Sequence, residues 1–258
     1  MTAIFDTHAH YDDEAFDRDR EELLCSLPEQ GIARVVNVGA SLESCRKTIE
    51  LMEEYDHIYS AIGIHPSDTA ELTEDGMEWL RQQCSHEKCV AVGEIGLDYY
   101  WDEPEREIQK KWFVRQLDLA RQVKKPVIIH SREAAKDTAD ILTAEHAGEI
   151  GGVIHCYSYT KESAKTYLDM DFYFGIGGVL TFKNAKKLKE AVEYIPLDHI
   201  VLETDCPYLA PEPNRGKRNS SLNLSYVVTA LSAIKELDEE EIRRVTWDNA
   251  MKLYRMEA

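Results

Sequence analysis

Six side chains able to bind a metal ion stand at or near the ends of short apolar runs. They are His8 and His10 in IFDTHAH, Glu94 in VAVGEIGLD, His130 in PVIIH, His155 in GGVIHC and Asp205 in IVLETD. An apolar run of roughly four to six residues that ends in a polar ligand reads as a buried strand delivering its last side chain to a site. Five strands ending this way imply a ring of strand ends converging on bound metal. The chemistry such a ring performs is hydrolysis.

Each residue also has a plainer reading. A lone histidine is usually a surface residue or a hydrogen-bonded core residue, and His130 and His155 taken singly fit either description. His-x-His is more specific, because residues i and i+2 of a strand face the same way, so His8 and His10 can grip one ion. Asp6 shares that face and is expected to support them. Glu94 ends an apolar strand, where an unpaired carboxylate is costly to bury; a basic partner or a shared metal would each resolve that cost. Glu203 and Asp205 share a strand face, and Asp205 lies nearer the rim, so Asp205 is the expected ligand. Asp205 is also the expected group to orient or deprotonate an attacking water.

The elements needed to position these residues are legible in the pattern. Strand-like segments fall near 3–8, 32–38, 58–64, 89–94, 126–130, 152–155, 172–176 and 199–204. Helical stripes lie between them: Leu42, Cys45, Ile49 and Met52; Ile108, Trp112, Phe113, Leu117 and Ala120; Leu224, Val227, Val228, Leu231 and Ile234. Asp238 with Glu241 reads as a capping box opening one more helix, through Ile242 and Val245. Eight strands, each followed by a helix, predict a (β/α)8 TIM barrel, and without linkers or repeats a single domain over 1–258 is expected. In such a barrel the site lies at the carboxyl ends of the strands. The candidate ligands follow strands one, four, five, six and eight, so topology and chemistry agree.

Charge narrows the partners. The chain has 48 acidic and 30 basic residues, a formal net charge of −18. An extended nucleic-acid binder gains affinity by releasing counterions through a basic surface, which this chain lacks overall. A small phosphate-bearing substrate is still compatible, because divalent metal reverses the local field. One basic segment stands out, RGKRNSS, with Arg215, Lys217 and Arg218 between the last strand and the next helix; it reads either as a solvated loop or as a phosphate contact. Tyr99, Tyr100 and Trp101 follow Glu94 and either pack or stack on bases or sugars. His65, in GIHP at the end of strand three, either hydrogen-bonds a substrate phosphate or braces the rim. Six cysteines make no CxxC, Cys156 and Cys206 read as packing, and a reduced cytoplasmic protein is expected. The opening MTAIFDTHAH lacks the marks of an export signal, and no apolar run approaches membrane-spanning length, so neither a membrane nor an obligate protein partner is expected.

Taken together, DTHAH, GIHP, GEIGLDYYWD, HSRE, HCYS, ETDCPYLAP and RGKRN resemble the TatD family of metal-dependent hydrolases, often called TatD-type deoxyribonucleases. The motifs occur in family order from residue 4 to about residue 250. The resemblance implies a TIM barrel with a two-metal site acting on DNA or a short oligonucleotide, from an end or on single strands. It implies that His8, His10, Glu94 and Asp205 hold one ion, while Glu94 bridges to a second held by His130 and His155. The sequence departs from the family at Tyr159, where a glycine commonly follows the serine of HCYS. Four imidazoles and two carboxylates suit Zn²⁺, Mn²⁺ or Ni²⁺ better than Mg²⁺, although the family's nuclease activity is usually associated with Mg²⁺. An alternative on the same barrel is hydrolysis of a small amide, lactone or phosphoester. Many such relatives bridge their metals with a carboxylated lysine after strand four, where this chain has Glu94.

Overall fold

The computed structural model describes residues 2–256. Its strands are Ile4–Ala9 (β1), Ile32–Val38 (β2), Ile58–Ala61 (β3), Cys89–Asp98 (β4), Val127–Arg132 (β5), Gly152–Ile154 (β6), Tyr173–Ile176 (β7) and Ile200–Leu202 (β8). All neighbours pair in parallel, in the order β1 to β8. The ring meets its own start beyond β8. Asp205 N donates to His8 O at 2.9 Å, His10 N donates to Cys206 O at 2.8 Å, and a parallel bridge joins Ala9 to Cys206. The result is a nearly closed (β/α)8 barrel.

Helices lie between successive strands: Arg20–Ser26 (α1), Leu42–Glu54 (α2), Glu74–Gln83 (α3), Arg106–Val123 (α4), Ala135–Ala144 (α5), Lys161–Leu168 (α6) and Lys186–Tyr194 (α7). Two more, Leu224–Lys235 (α8) and Glu239–Leu253 (α9), follow β8. Polar caps fix several starts. Ser41 accepts from Ser44 N at 3.1 Å at the head of α2, and Asp238 accepts from Glu241 N at 2.8 Å at the head of α9. Each cap satisfies an amide that no helical carbonyl can reach.

Strand residues alternate between two apolar clusters, as a period of two requires. Ile4, Ile32, Val35 and Ile58 join the larger one with helix residues such as Leu51, Leu117 and Leu231. Phe5, Val36, Val38, Ile128, Val153 and Val201 join the other, together with Ala250, Leu253 and Tyr254. Phe5 lies 5.7 Å from Trp247 and 5.8 Å from Tyr254, ring centre to ring centre, so α9 seals the cluster away from the ligand-bearing ends. This packing leaves those ends free to carry polar groups.

Four strand ends differ from the sequence expectation by two residues or more. β3 stops at Ala61 instead of near 64, and β5 runs on to Arg132 instead of ending near 130. β8 stops at Leu202, because the chain then turns to pair with β1. β4 runs on to Asp98, four residues past Glu94. Gly96 permits that extension: its φ is +144°, and a Cβ there would lie 1.9 Å from His130 O. Only glycine lets β4 and β5 approach so closely at the level of the ligands.

Candidate active site

The six candidate ligands converge on one point of the barrel mouth. His8 Nε2 and His10 Nε2 lie 3.1 Å apart, and Asp205 Oδ1 lies 3.4 Å from His10 Nε2 and 3.7 Å from His8 Nε2. Glu94 sits between two donor groups. Its Oε1 is 3.9 Å from His10 Nε2, while its Oε2 is 3.6 Å from His8 Nε2, 3.7 Å from His130 Nδ1 and 3.0 Å from His155 Nε2. His130 Nδ1 and His155 Nε2 are 3.2 Å apart. Ligand atoms therefore gather in two overlapping sets, His8–His10–Glu94 and Glu94–His130–His155, with Asp205 beside His8 and His155.

The surroundings fix how each imidazole presents itself. His10 Nδ1 donates to Val38 O at 2.8 Å, so in the neutral ring Nε2 is the lone-pair nitrogen. His130 Nε2 is held by Asp98 Oδ2 at 3.0 Å, which leaves Nδ1 to face Glu94 and His155. A carboxylate or carbonyl behind the ring is the usual support of a metal-binding histidine. A buried Glu94 Oε2 with no hydrogen-bond partner, at the meeting point of four imidazoles, is costly unless a cation lies beside it. No lysine or arginine fills that role, because every ion pair of Glu94 among the described residues is with a histidine. The donor set fits divalent metal: imidazoles and carboxylates together suit Zn²⁺, Mn²⁺, Ni²⁺ or Fe²⁺.

The protein groups by themselves already draw positive charge to this point. Burial would lower the proton affinity of His10, but the Asp205 and Glu94 carboxylates carry its pKa up to about 10. Burial acts the same way on His130, and Asp98 with Glu94 raises it to about 9. Burial would raise Glu94, yet the imidazoles of His155 and His130 hold it well below the usual carboxylate range. Glu203 behaves differently. Burial, then the charge of Asp205, pushes it well above the ordinary value, although its Oε1 accepts the Cys156 amide. Glu203 thus lies beneath the cluster, 3.9 Å from His155 Nδ1, in room that Gly175 leaves open.

Asp205 takes its position from its backbone as well as its sequence place. Its φ is +55°, a left-handed conformation that aspartate tolerates better than most residues. Asp6 does not support the histidine rings as expected. Its carboxylate accepts from Thr204 Oγ1 and Ser221 Oγ, both at 2.6 Å, and so ties β1 to the chain beyond β8.

The ligands open into a cavity of about 810 Å³. His65 lines it, as the GIHP motif suggested. Its Nδ1 accepts from Ser67 N at 3.2 Å, so Nε2 carries the proton of the neutral ring. Burial, then nearby His130, takes its pKa down to about 3, which keeps the ring a neutral donor. Tyr99 does not line the cavity; its hydroxyl donates to Asp137 at 2.8 Å and Trp101 lines the wall instead. Arg215, Lys217 and Arg218 lie outside the lining too. Both arms of the Arg218 guanidinium are taken by Asp19 at 2.6 Å, while Arg215 lies over the Phe182 ring at 4.3 Å. Cys206 packs as expected, whereas Cys156 reaches the cavity wall, its thiol held protonated by burial. Tyr159 braces the neighbouring loop, its hydroxyl 3.0 Å from Ser131 Oγ and 3.3 Å from Ala134 N.

Asp98, Arg132, Asp12, Asp68 and Tyr208 were not singled out in the sequence. Asp98 was detectable, since it lies four residues after Glu94 on one strand and so shares its face. Arg132 stands two residues past His130 in the quoted HSRE, by the same rule. Asp12 and Tyr208 sit on loops and Asp68 in the short helix Pro66–Glu71, where no periodicity marks them.

A histidine–carboxylate cluster at the carboxyl-terminal mouth of a (β/α)8 barrel defines the class of metal-dependent barrel hydrolases. Residues 5–255 match the family described as TatD related DNase, and the chain belongs to the TatD family of metal-dependent hydrolases. It is 44% identical to YabD of Bacillus subtilis, an uncharacterised metal-dependent hydrolase, over 98% of this chain and 99% of that one. YcfH of Escherichia coli K12, similarly named, is 34% identical over 99% of this chain and 97% of its own. Among solved structures, the TatD homologue YjjV of Escherichia coli superimposes with a TM-score of 0.92 at 29% identity, covering 98% of both chains. No described helix is long and apolar enough to cross a membrane.

Proposed function

We propose that this metal-dependent hydrolase cleaves phosphodiester bonds of DNA, at strand ends or in short single strands, with two divalent ions bound around Glu94. The observation that carries the reading is the Glu94 carboxylate, common to the set His8–His10–Glu94 and the set Glu94–His130–His155, with Oε1 nearest His10 and Oε2 near His8, His130 and His155. His8, His10, Glu94 and Asp205 would hold one ion, and Glu94, His130 and His155 the other. Bound there, divalent ions neutralise phosphate charge and lower the pKa of a water nucleophile. The name of the matching family points to DNA as substrate, and a glutamate on β4 favours a phosphodiester over the amide and lactone chemistry of barrels that use a carboxylated lysine there.

The chain's own groups supply the remaining work. Asp205, 18% exposed and held at the mouth, orients the attacking water and accepts its proton. His65, as a neutral donor, hydrogen-bonds a phosphoryl oxygen in the ground and transition states. Asp98 keeps His130 turned inward. At the rim, Lys217 has no described ion pair and can meet a phosphate; Arg215, laid on Phe182 and 4.0 Å from Glu212, must leave that carboxylate to do so, and Arg218 holds the loop to Asp19.

The test is a substrate panel. Protein saturated with Mn²⁺, Zn²⁺ or Mg²⁺ is given end-labelled single-stranded and duplex oligonucleotides beside lactones, cyclic amides and phosphotriesters. Efficient release of nucleotides from an end supports the reading. Turnover of a lactone or amide with intact oligonucleotides would overturn it.

A further inference from the structure

The cavity wall carries a single arginine, set among carboxylates. Among its lining residues are Asp12, Asp13, Asp68, Glu94 and Asp205, and only one arginine or lysine, Arg132. No described carboxylate forms an ion pair with Arg132. Its guanidinium instead lies 3.8 Å from the centre of the Tyr100 ring, and Tyr100 meets Trp101 edge-on at 5.2 Å and 84°. Tyr100 is 52% exposed and Trp101 64%, an unusual display of aromatic surface at a cavity mouth.

This group is built into the same framework as the candidate ligands. Arg132 pairs with Asp98 in the β4–β5 register, and Asp98 Oδ1 accepts from Tyr100 N at 2.9 Å and Trp101 N at 3.1 Å. The carboxylate that holds His130 therefore also holds the aromatic loop. Arg132 stands two residues beyond His130, roughly 6–7 Å further along the strand. A guanidinium laid on a ring keeps its edge N–H groups free, and little side-chain entropy is left to lose when an oxyanion binds.

We infer that Arg132, Tyr100 and Trp101 form a nucleotide-recognition wall for the proposed phosphodiesterase. Arg132 takes the phosphate next to the scissile one, and the exposed face of Trp101 stacks on the base attached to it. The inference rests on the phosphodiesterase reading, and it names what that reading leaves open: the enzyme recognises one charged nucleotide beside the bond it cuts. Stacking on a single aromatic face needs an unstacked base, which favours single strands and frayed ends.

The experiment uses thymidine dinucleotides carrying a phosphate at the 5′ end, the 3′ end or neither, and a set with one base removed. Wild type, Arg132→Ala, Arg132→Lys and Trp101→Ala are compared by kcat and KM, with circular dichroism and metal content as controls. Wild type should prefer one phosphorylated dinucleotide over the unphosphorylated one by roughly tenfold or more in kcat/KM, mainly through KM. In Arg132→Ala that ratio should fall towards one, and in Arg132→Lys, which keeps charge without the fork, it should lie between. Trp101→Ala should lose its discrimination against the abasic substrate and keep its preference for phosphate. A wild type indifferent to the added phosphate, or an Arg132→Ala that retains the preference, overturns the wall while leaving the phosphodiesterase standing. Hydrolysis of none of the dinucleotides, with turnover of a lactone or amide, removes both.

Discussion

His130 Nε2 lies 3.0 Å from Asp98 Oδ2, and Asp98 also receives the amides of Tyr100 and Trp101. One buried carboxylate, 1% exposed, thus sets the tautomer of a candidate ligand and the course of the loop beside it. The two tasks use different oxygens, so they are separable by substitution. Asparagine at 98 keeps the shape and one acceptor oxygen but loses the charge that supports the imidazole.

Asp98→Asn should therefore weaken metal binding at the His130 position by about 10–100-fold, the usual cost of removing such support. The measurement is competition with a chelator of known affinity, in parallel with thermal melting. Affinity within twofold of wild type, at an unchanged melting temperature, would show that His130 needs no help from Asp98.

Glu94 leads to a stoichiometry. Its two oxygens approach His10 on one side and His8, His130 and His155 on the other. Protein purified without chelator and titrated with Zn²⁺ or Mn²⁺ should approach two ions per chain. His155→Ala should lose the more weakly held ion, with activity partly restored by excess metal. Saturation at a single ion that Glu94→Gln does not disturb would falsify the shared-carboxylate arrangement.

The fold and the ligand cluster were largely readable from sequence because both follow strict periods. Alternation along β1 placed His8 and His10 on one face, and apolar runs marked the level at which β5 and β6 present His130 and His155, although β5 runs two residues further, to Arg132. What escaped the reading depends on contacts distant in sequence. Asp6 was assigned to the histidine face by parity alone, but its partners Thr204 and Ser221 lie about 200 residues away and claim its oxygens. Arg218 looked free for phosphate until Asp19, from just ahead of α1, met its fork. Tyr99 and Trp101 are two residues apart, and only the packing of Tyr99 on Asp137 decides which one faces the cavity.

Asp205→Asn separates chemistry from structure. Asparagine tolerates the left-handed backbone that Asp205 adopts at φ +55°, so the fold should survive. Loss of its basicity should lower kcat by ~10²-fold or more, the ordinary size of a general-base contribution. Near-normal turnover would remove Asp205 from the reaction and leave proton removal to another group at the mouth.

The charge balance sets the response to salt. With a formal net charge of −18, the body repels a long polyanion except near the cavity and the 215–218 rim. Arg132 lines the cavity, Arg215 and Lys217 lie outside it, and Arg218 is committed to Asp19, so few phosphates can be neutralised. The slope of log affinity against log salt should correspond to about two to four contacts and should not grow with oligonucleotide length. Arg215→Ala should raise KM for DNA and flatten the slope further, with metal content unchanged. Catalytic efficiency on oligonucleotides of graded length across a salt series checks both. A slope that steepens with length would mean that the strand follows an extended basic track over this surface, which the net charge of −18 and the carboxylates lining the cavity oppose.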